Sequence, residues 1–300
     1  MSWVNAVIHG ILLGGVYALL ATGLSLMFGV MRIINLAHGS LALIGAYSAY
    51  ELKVHAGMSP YVALVVIIPG ALVVGYVLQR TLLERSLRAG PLVPLLTTFG
   101  LLIIIGNLLL KIFSPDVHSL DPGAIGSKSW RISSELSIPA FDVLILGVAI
   151  VVLGGLQLLL TRTRIGRELR ATAADPDTAE LVGIDSRTVY ARATAIAVAT
   201  AALAGVFFGM RSTFDPASGP TQLIYAFEAV VIGGLGSLWG TLFGGIVLGV
   251  AQTVGAQVDP SYFALFGHLV FLVVLVARAL LEAGTLGLPA RLRIPGRATT

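Results

Sequence analysis

The chain has 300 residues, of which 56% are hydrophobic and 11% charged, with a formal net charge of +4 and no cysteine. Soluble domains carry about 25% charged residues, so this composition excludes an ordinary soluble fold, and apolar runs of about 20 residues exclude a membrane barrel. Disulfides, thiol catalysis and cysteine-ligated metals are excluded, and no basic patch interleaves with aromatics as a nucleic-acid surface would. The expectation is an all-α polytopic membrane protein, a single transmembrane domain over residues 1–300, with about eight crossings plus re-entrant or broken segments.

Val4–Gly29 reads as the first span, retained because no basic segment precedes it and no clear cleavage site follows. Its glycines Gly10, Gly14, Gly15 and Gly23 permit close helix packing. Ile33–Tyr50 is apolar but carries the cluster Asn35-Leu36-Ala37-His38-Gly39-Ser40. Unpaired polar groups at membrane depth cost several kcal/mol, so this segment is expected inside the bundle or along a cavity. Tyr61–Leu78 follows, with a kink expected at Pro69. Arg80, Arg85 and Arg88 mark a cytoplasmic turn, since basic loops resist export.

Leu92–Leu110 returns outward to a polar external loop over 113–140. Phe141–Leu160 leads back to the longest charged stretch, 161–190, whose Arg162, Arg164, Arg167, Arg170 and Arg187 place it in the cytoplasm. Within it, Asp175-Pro176-Asp177 is a helix-start signal: a capping carboxylate, a proline suited to the first position, and an acid at the positive end of the dipole. Gly183 suits a left-handed helix stop. A short helix over about Pro176–Val182 is expected to stand on the cytoplasmic face, either as a docking knob or as a solvated loop that fixes topology.

Ala193–Met210 leads outward again. Arg211 and Asp215 beyond it read as a surface ion pair or turn. Leu223–Leu235 is a short apolar run carrying Glu228, which reads either as a functional group in the membrane or as an interfacial carboxylate touching water. Gly233-Gly234-Leu235-Gly236-Ser237 follows, then Trp239–Ala256. Gly236, Gly240 and Gly244 form a small-residue stripe for tight packing, with a sliding subunit interface as the functional alternative. The last span is Tyr262–Leu281. Arg278, Arg291, Arg293 and Arg297 place the C-terminus inside.

Parity constrains the map. Leu223–Ala256 must cross twice or dip and return. If all three apolar segments before Arg80 cross, the N-terminus is outside; the polar cluster in Ile33–Tyr50 favours a re-entrant or broken segment there, which places it inside. Two unusual segments, one in each half, are what discontinuous transporter helices look like, although no internal repeat is visible by eye. No phosphate-binding G-x-x-x-x-G-K-[ST] loop exists, and no H-E-x-x-H or other metal-ligand spacing.

The residues Asn35–Gly39, the loop Gly166-Arg167-Glu168-Leu169-Arg170-Ala171 through Gly183-Ile184, and Gly233–Ser237 with Gly240 resemble the permease subunits of branched-chain amino acid ABC transporters, of the LivH type. The resemblance covers nearly the whole chain. It implies a cell (inner) membrane location in a prokaryote, a second related permease, two cytoplasmic ATPase subunits that bind the ATP, and a periplasmic or lipoprotein binding protein. No cofactor of its own is implied. The helix at Pro176–Gly183 would be the coupling helix, with Arg170, Asp175, Pro176, Asp177, Glu180, Leu181 and Gly183 as its docking residues. Substrate-path candidates are Asn35, His38, Ser40, Glu228 and Ser237. Relatives carrying urea, short amides or sugars leave the substrate open. An intramembrane serine hydrolase using Ser237 and His268, and a self-sufficient secondary carrier, are the rival readings.

Overall fold

The computed structural model describes residues 3–90, 92–131 and 137–282. The expected C-terminal arginines Arg291, Arg293 and Arg297 lie outside the described residues. Twelve α-helices appear among them: α1 (Trp3–Met31), α2 (His38–Ala56), α3 (Pro60–Leu78), α4 (Glu84–Ala89), α5 (Val93–Phe113), α6 (Ala140–Arg162), α7 (Arg164–Ala174), α8 (Pro176–Leu181), α9 (Ser186–Arg211), α10 (Ser218–Gly233), α11 (Leu238–Val258) and α12 (Tyr262–Glu282). Seven helices are long and apolar enough to cross a membrane, one of them the continuous run Pro60–Ala89, in which a π-helical turn at Gln79–Leu83 joins α3 to α4. Helix α3 continues through Pro69. Two short strands, β1 (Ser129–Arg131) and β2 (Ser137–Pro139), form a hairpin in the loop after α5.

The bundle is organised around α1 and α9, which are buried over most of their length. Gly14 and Gly10 of α1 lie against the backbone of Ile246 and Val250 in α11, and Gly75 of α3 lies against Ala195 of α9. Neither contact leaves room for a β-carbon. With no hydrophobic drive between helices in lipid, close backbone approach and dispersion hold such pairs together. The ends can be told apart. Arg80, Arg88, Arg187 and Arg192 lie at one end with Glu84 and Glu168, and the long loop after α5 lies at the other.

Helix α2, long enough at 19 residues, is absent from the seven because its ends are polar, with His38 at the start and Glu51, Lys53 and His55 near the stop. Helix α1 stops at Met31, which meets Thr194 at the arginine-rich end. Residues 32–37 then run back into the bundle without helical structure, and His38 Nε2 lies 3.0 Å from the carbonyl of Leu20. Leu20 is about 16 Å up α1 from Met31 at helical rise. Helix α2 therefore starts at mid-depth and finishes the crossing to the loop end. The segment is broken, as its polar cluster suggested, yet it still crosses. The expectation of an N-terminus on the arginine-rich side is thus corrected: Trp3 lies at the opposite end. A broken segment was equated with a return to the same side, but the non-helical lead-in supplies the missing half of the passage.

The second half of the chain repeats this device in inverted sense. After α9, residues 212–217 lead into α10. Asp215 Oδ1 accepts from the Ala217 N–H at 2.7 Å, and the Ser218 N–H donates to the Asp215 carbonyl at 3.1 Å. Asn35 Oδ1 accepts from the Ala37 N–H at 3.0 Å, and the His38 N–H donates to the Asn35 carbonyl at 3.1 Å. The two turns share a conformation, with φ/ψ of −80/−1 at Ala37 and −88/−6 at Ala217. The half-helices cross at Gly39 and Gly219, where a β-carbon on Gly39 would fall 2.0 Å from the Gly219 carbonyl oxygen. The units α1–α2–α3 and α9–α10–α11 run in opposite directions, α1 packs on α11 as α9 packs on α3, and this is the inverted repeat common in transporters. Helices α10 and α11 supply the two passages that parity required. Of the two readings of Arg211 and Asp215, the turn holds at Asp215, while the ion pair is corrected: Arg211 forks onto Asp142 of α6 at 3.0 and 3.4 Å.

Candidate functional site

At the arginine-rich end, α7 and α8 project between α6 and α9. Thr163 caps α7 by accepting from the Gly166 N–H at 3.1 Å, and Gly166 allows the new helix to fold tightly on Leu159 and Leu160. Asp175 ends α7 and caps α8, accepting from the N–H groups of Asp177 (3.0 Å) and Thr178 (3.1 Å) and from the Thr178 hydroxyl (2.5 Å). The Thr178 hydroxyl foremost, then the backbone N–H groups, holds the Asp175 carboxyl below its usual range. Pro176 occupies the first helical position, where a missing N–H costs nothing.

The stop is as well built as the start. Gly183 has φ of +83°, its N–H donates to the Glu180 carbonyl, and the Ile184 N–H donates to the Ala179 carbonyl at 3.0 Å. These are the two bonds of a Schellman stop. Asp185 then caps α9, its carboxyl lowered chiefly by the Thr188 hydroxyl. Ser186 reaches back to the Pro176 carbonyl at 3.2 Å. Between these fixed ends, Leu181 and Val182 are 87% and 73% exposed, while Ala179 is buried beneath. Two apolar side chains on a rigid turn are thus presented to whatever faces this end.

The surrounding charges brace the knob. Glu168 of α7 holds Arg192 of α9 at 2.7 Å and Arg164 at 3.0 Å. Glu84 of α4 holds Arg88 at 2.6 Å and reaches Arg187 at 3.4 Å. Arg170 donates to the Leu160 carbonyl at the end of α6, so it anchors the base of the loop. A cavity of about 690 Å³ opens between α7 and the α8–α9 turn, lined by Arg164, Arg167, Glu168, Val182, Asp185 and Arg192. The roles of Glu84 and Glu168 were invisible in the sequence, because their partners on α9 lie 103 and 24 positions away.

The membrane-depth candidates divide into three places. Asn35, His38 and Ser40 lie together at the start of α2, buried where α1, α9 and α10 meet. Glu228 is buried on α10 and bonded to His268 of α12. Ser237 is at the arginine-rich end, where its hydroxyl accepts from the Gly240 N–H at 3.1 Å and caps α11. Ser237 and His268 therefore have separate partners, and the arrangement offers no serine–histidine couple. Gly240 and Gly244 lie against Gly233 and Ala229 of α10, and Gly236 lies against Gly29 of α1, so the stripe joins helices of one chain. Among the described residues no cluster of three histidines or acids could hold a metal ion.

Comparison with known proteins agrees with this architecture. Residues 6–277 match the family described as branched-chain amino acid transport system / permease component. The chain is 33% identical over 307 residues to the high-affinity branched-chain amino acid transport system permease protein BraD of Pseudomonas aeruginosa, covering 96% of each chain. It is 29% identical to LivH of Escherichia coli, a permease protein of the same description, and 28% identical to LivH of Salmonella typhimurium, covering 96% of this chain and 97% of each relative. No solved structure matches.

Proposed function

This chain belongs to the family of branched-chain amino acid transport permease components, and on that premise we propose that it passes leucine, isoleucine and valine across the cell membrane under the drive of separate ATPases. It is a multi-pass membrane protein and a transport subunit. In the proposed complex a second related permease sits beside it, two ATPases grip the arginine-rich end from the cytoplasm, and an external binding protein delivers the amino acid at the loop end. The C-terminus is then cytoplasmic and the N-terminus external.

The observation that carries the reading is α8. A helix of six residues is too short to be stable by itself, yet it is fixed at both ends by cap and stop and shows Leu181 and Val182 outward. Such a knob is suited to seating in a groove of a soluble partner. Its rigid attachment through Glu168–Arg192 and Ser186–Pro176 to α9, one of the two central helices, gives a push on the knob a direct route into the bundle. Closure of the ATPases on ATP would then rock the two inverted halves and switch the path between outside and inside. Asp177 and Glu180, exposed on the helix that leads into this pair, would set its electrostatic match to the groove.

Reversing charge with Asp177→Lys or Glu180→Lys in the complex reconstituted with its ATPases tests this. The expected result is ATP hydrolysis no longer linked to uptake. Coupling equal to wild type in both variants would refute the docking role.

A further inference from the structure

One polar cluster at membrane depth is left over by the coupling reading. It lies where α1, α10, α11 and α12 meet. Glu228 of α10 is almost wholly buried, and its Oε1 is bonded to His268 Nδ1. Tyr225, one turn away, stacks beside the His268 ring at 6.4 Å and tilts against Tyr17 at 5.2 Å. The Tyr17 hydroxyl donates to Gln252 Oε1 at 2.5 Å, and Gln252 Nε2 lies against Gly267, next to His268. Two buried atoms of this group have no hydrogen-bond partner among the described residues: the acceptor Glu228 Oε2 and the donor Gln252 Nε2.

Buried polar atoms left unpaired are costly, and a pair of opposite sense in one cluster calls for a ligand with one donor end and one acceptor end. The His268 side chain is 46% exposed, about 9 Å along α12 from its start at the loop end. His268 is a single polar side chain on a face otherwise shown by the half-exposed Leu265, Leu269 and Leu272, and a polar group at that depth needs a polar partner to meet it. Ile224, half exposed on the same helix as Glu228 and one residue from Tyr225, supplies an apolar neighbour.

We propose that Glu228, His268 and Gln252 form the recognition point for the charged backbone end of a zwitterionic α-amino acid on its way through the membrane. The ammonium group donates to the free Glu228 Oε2, beside the imidazole bond that holds Oε1. The carboxylate accepts from the Gln252 amide. The zwitterion carries one positive and one negative group and so brings no net charge into the membrane, each end meeting a polar partner in the cluster. The side chain of the amino acid lies toward Tyr225 and Ile224. A urea, a neutral amide or a sugar can meet the same two atoms only with neutral hydrogen bonds, which are weaker than charge-assisted ones, so the cluster favours the zwitterion. The inference rests on the amino acid transport reading above and names the residues that would carry it out.

The test is leucine uptake by the full complex in proteoliposomes, with the binding protein outside and ATP inside, for wild type and Glu228→Gln. Glutamine still hydrogen-bonds His268, so the tether of α12 to α10 survives while the negative charge is lost. Leucine carried per ATP hydrolysed is expected to fall by about tenfold or more, the usual loss for a charge-assisted hydrogen bond, with melting temperature unchanged. Gln252→Glu, which sets a negative charge where the carboxylate would lie, is expected to do the same. Wild-type uptake by Glu228→Gln overturns the inference. So does a loss of uptake matched by equal losses of ATPase rate and melting temperature, which marks the pair as a tether only. If the wild-type complex carries no branched-chain amino acid, the transport reading falls and this inference with it; if wild type carries leucine and the variant equals it, only this inference falls.

Discussion

Gly205→Ala is the sharpest test of the packing that sets α2 at mid-depth. A β-carbon at Gly205 would lie 1.7 Å from the Ala42 carbonyl oxygen, 2.5 Å from its carbonyl carbon and 3.1 Å from its Cα. All three are backbone atoms, so no rotamer change relieves the clash. Restoring ordinary contact requires α2 and α9 to part by about 1.5 Å. That separation would also loosen the crossing of Gly39 on Gly219 and the contact of Gly45 with Ala202. Overpacking of this kind costs about 1–3 kcal/mol, occasionally more. The control is Gly154→Ala in α6, where a β-carbon meets nothing within 4 Å. There the helix gains about 1 kcal/mol from the better helix former. Thermal unfolding of the two variants in lipid nanodiscs should therefore move in opposite directions from wild type. A Gly205→Ala protein as stable as wild type would refute the close crossing of α2 and α9.

The Asp175 cap carries a pH dependence of known sign. Its carboxyl is held below the usual value in the folded chain by Thr178 and the backbone N–H groups. Its contribution is therefore complete above the ordinary carboxylate range near pH 4 and is lost as pH falls through the lowered value. Amide exchange at Thr178 and Ala179, corrected for intrinsic rates, should accelerate on acidification below that range, and Asp175→Asn should flatten the response. Arg211→Ala removes the forked partner of the nearly buried Asp142. Loss of about 2 kcal/mol in unfolding stability is expected, with Arg211→Lys recovering only part because it cannot fork.

What could be read from the sequence was what local chemistry decides. The start and stop of α8 lie within ten residues of each other, and Asp175, Pro176 and Gly183 act on their own neighbours, so their roles were legible. The long spans were legible from apolar length alone. The partners of Arg211, Glu228 and Glu168 were not, since they come from helices brought near by the fold. The two unusual segments could be paired from the sequence, but the repeat between them was not visible, for a different reason. Its two turns use Asn35 and Asp215, different residues that make the same bond to the N–H two positions on, so the likeness lies in geometry and leaves little trace in letters. The side of the N-terminus was misjudged because hydropathy cannot show that the non-helical residues 32–37 carry the chain half the distance.

Orientation can be measured directly, because the chain has no cysteine and single cysteines therefore report alone. A membrane-impermeant thiol reagent applied to intact cells should label Val117→Cys in the loop after α5 and leave Leu181→Cys on α8 untouched, with the pattern reversed in inverted vesicles. Labelling of Leu181→Cys from outside intact cells would contradict a knob that soluble ATPases can grip.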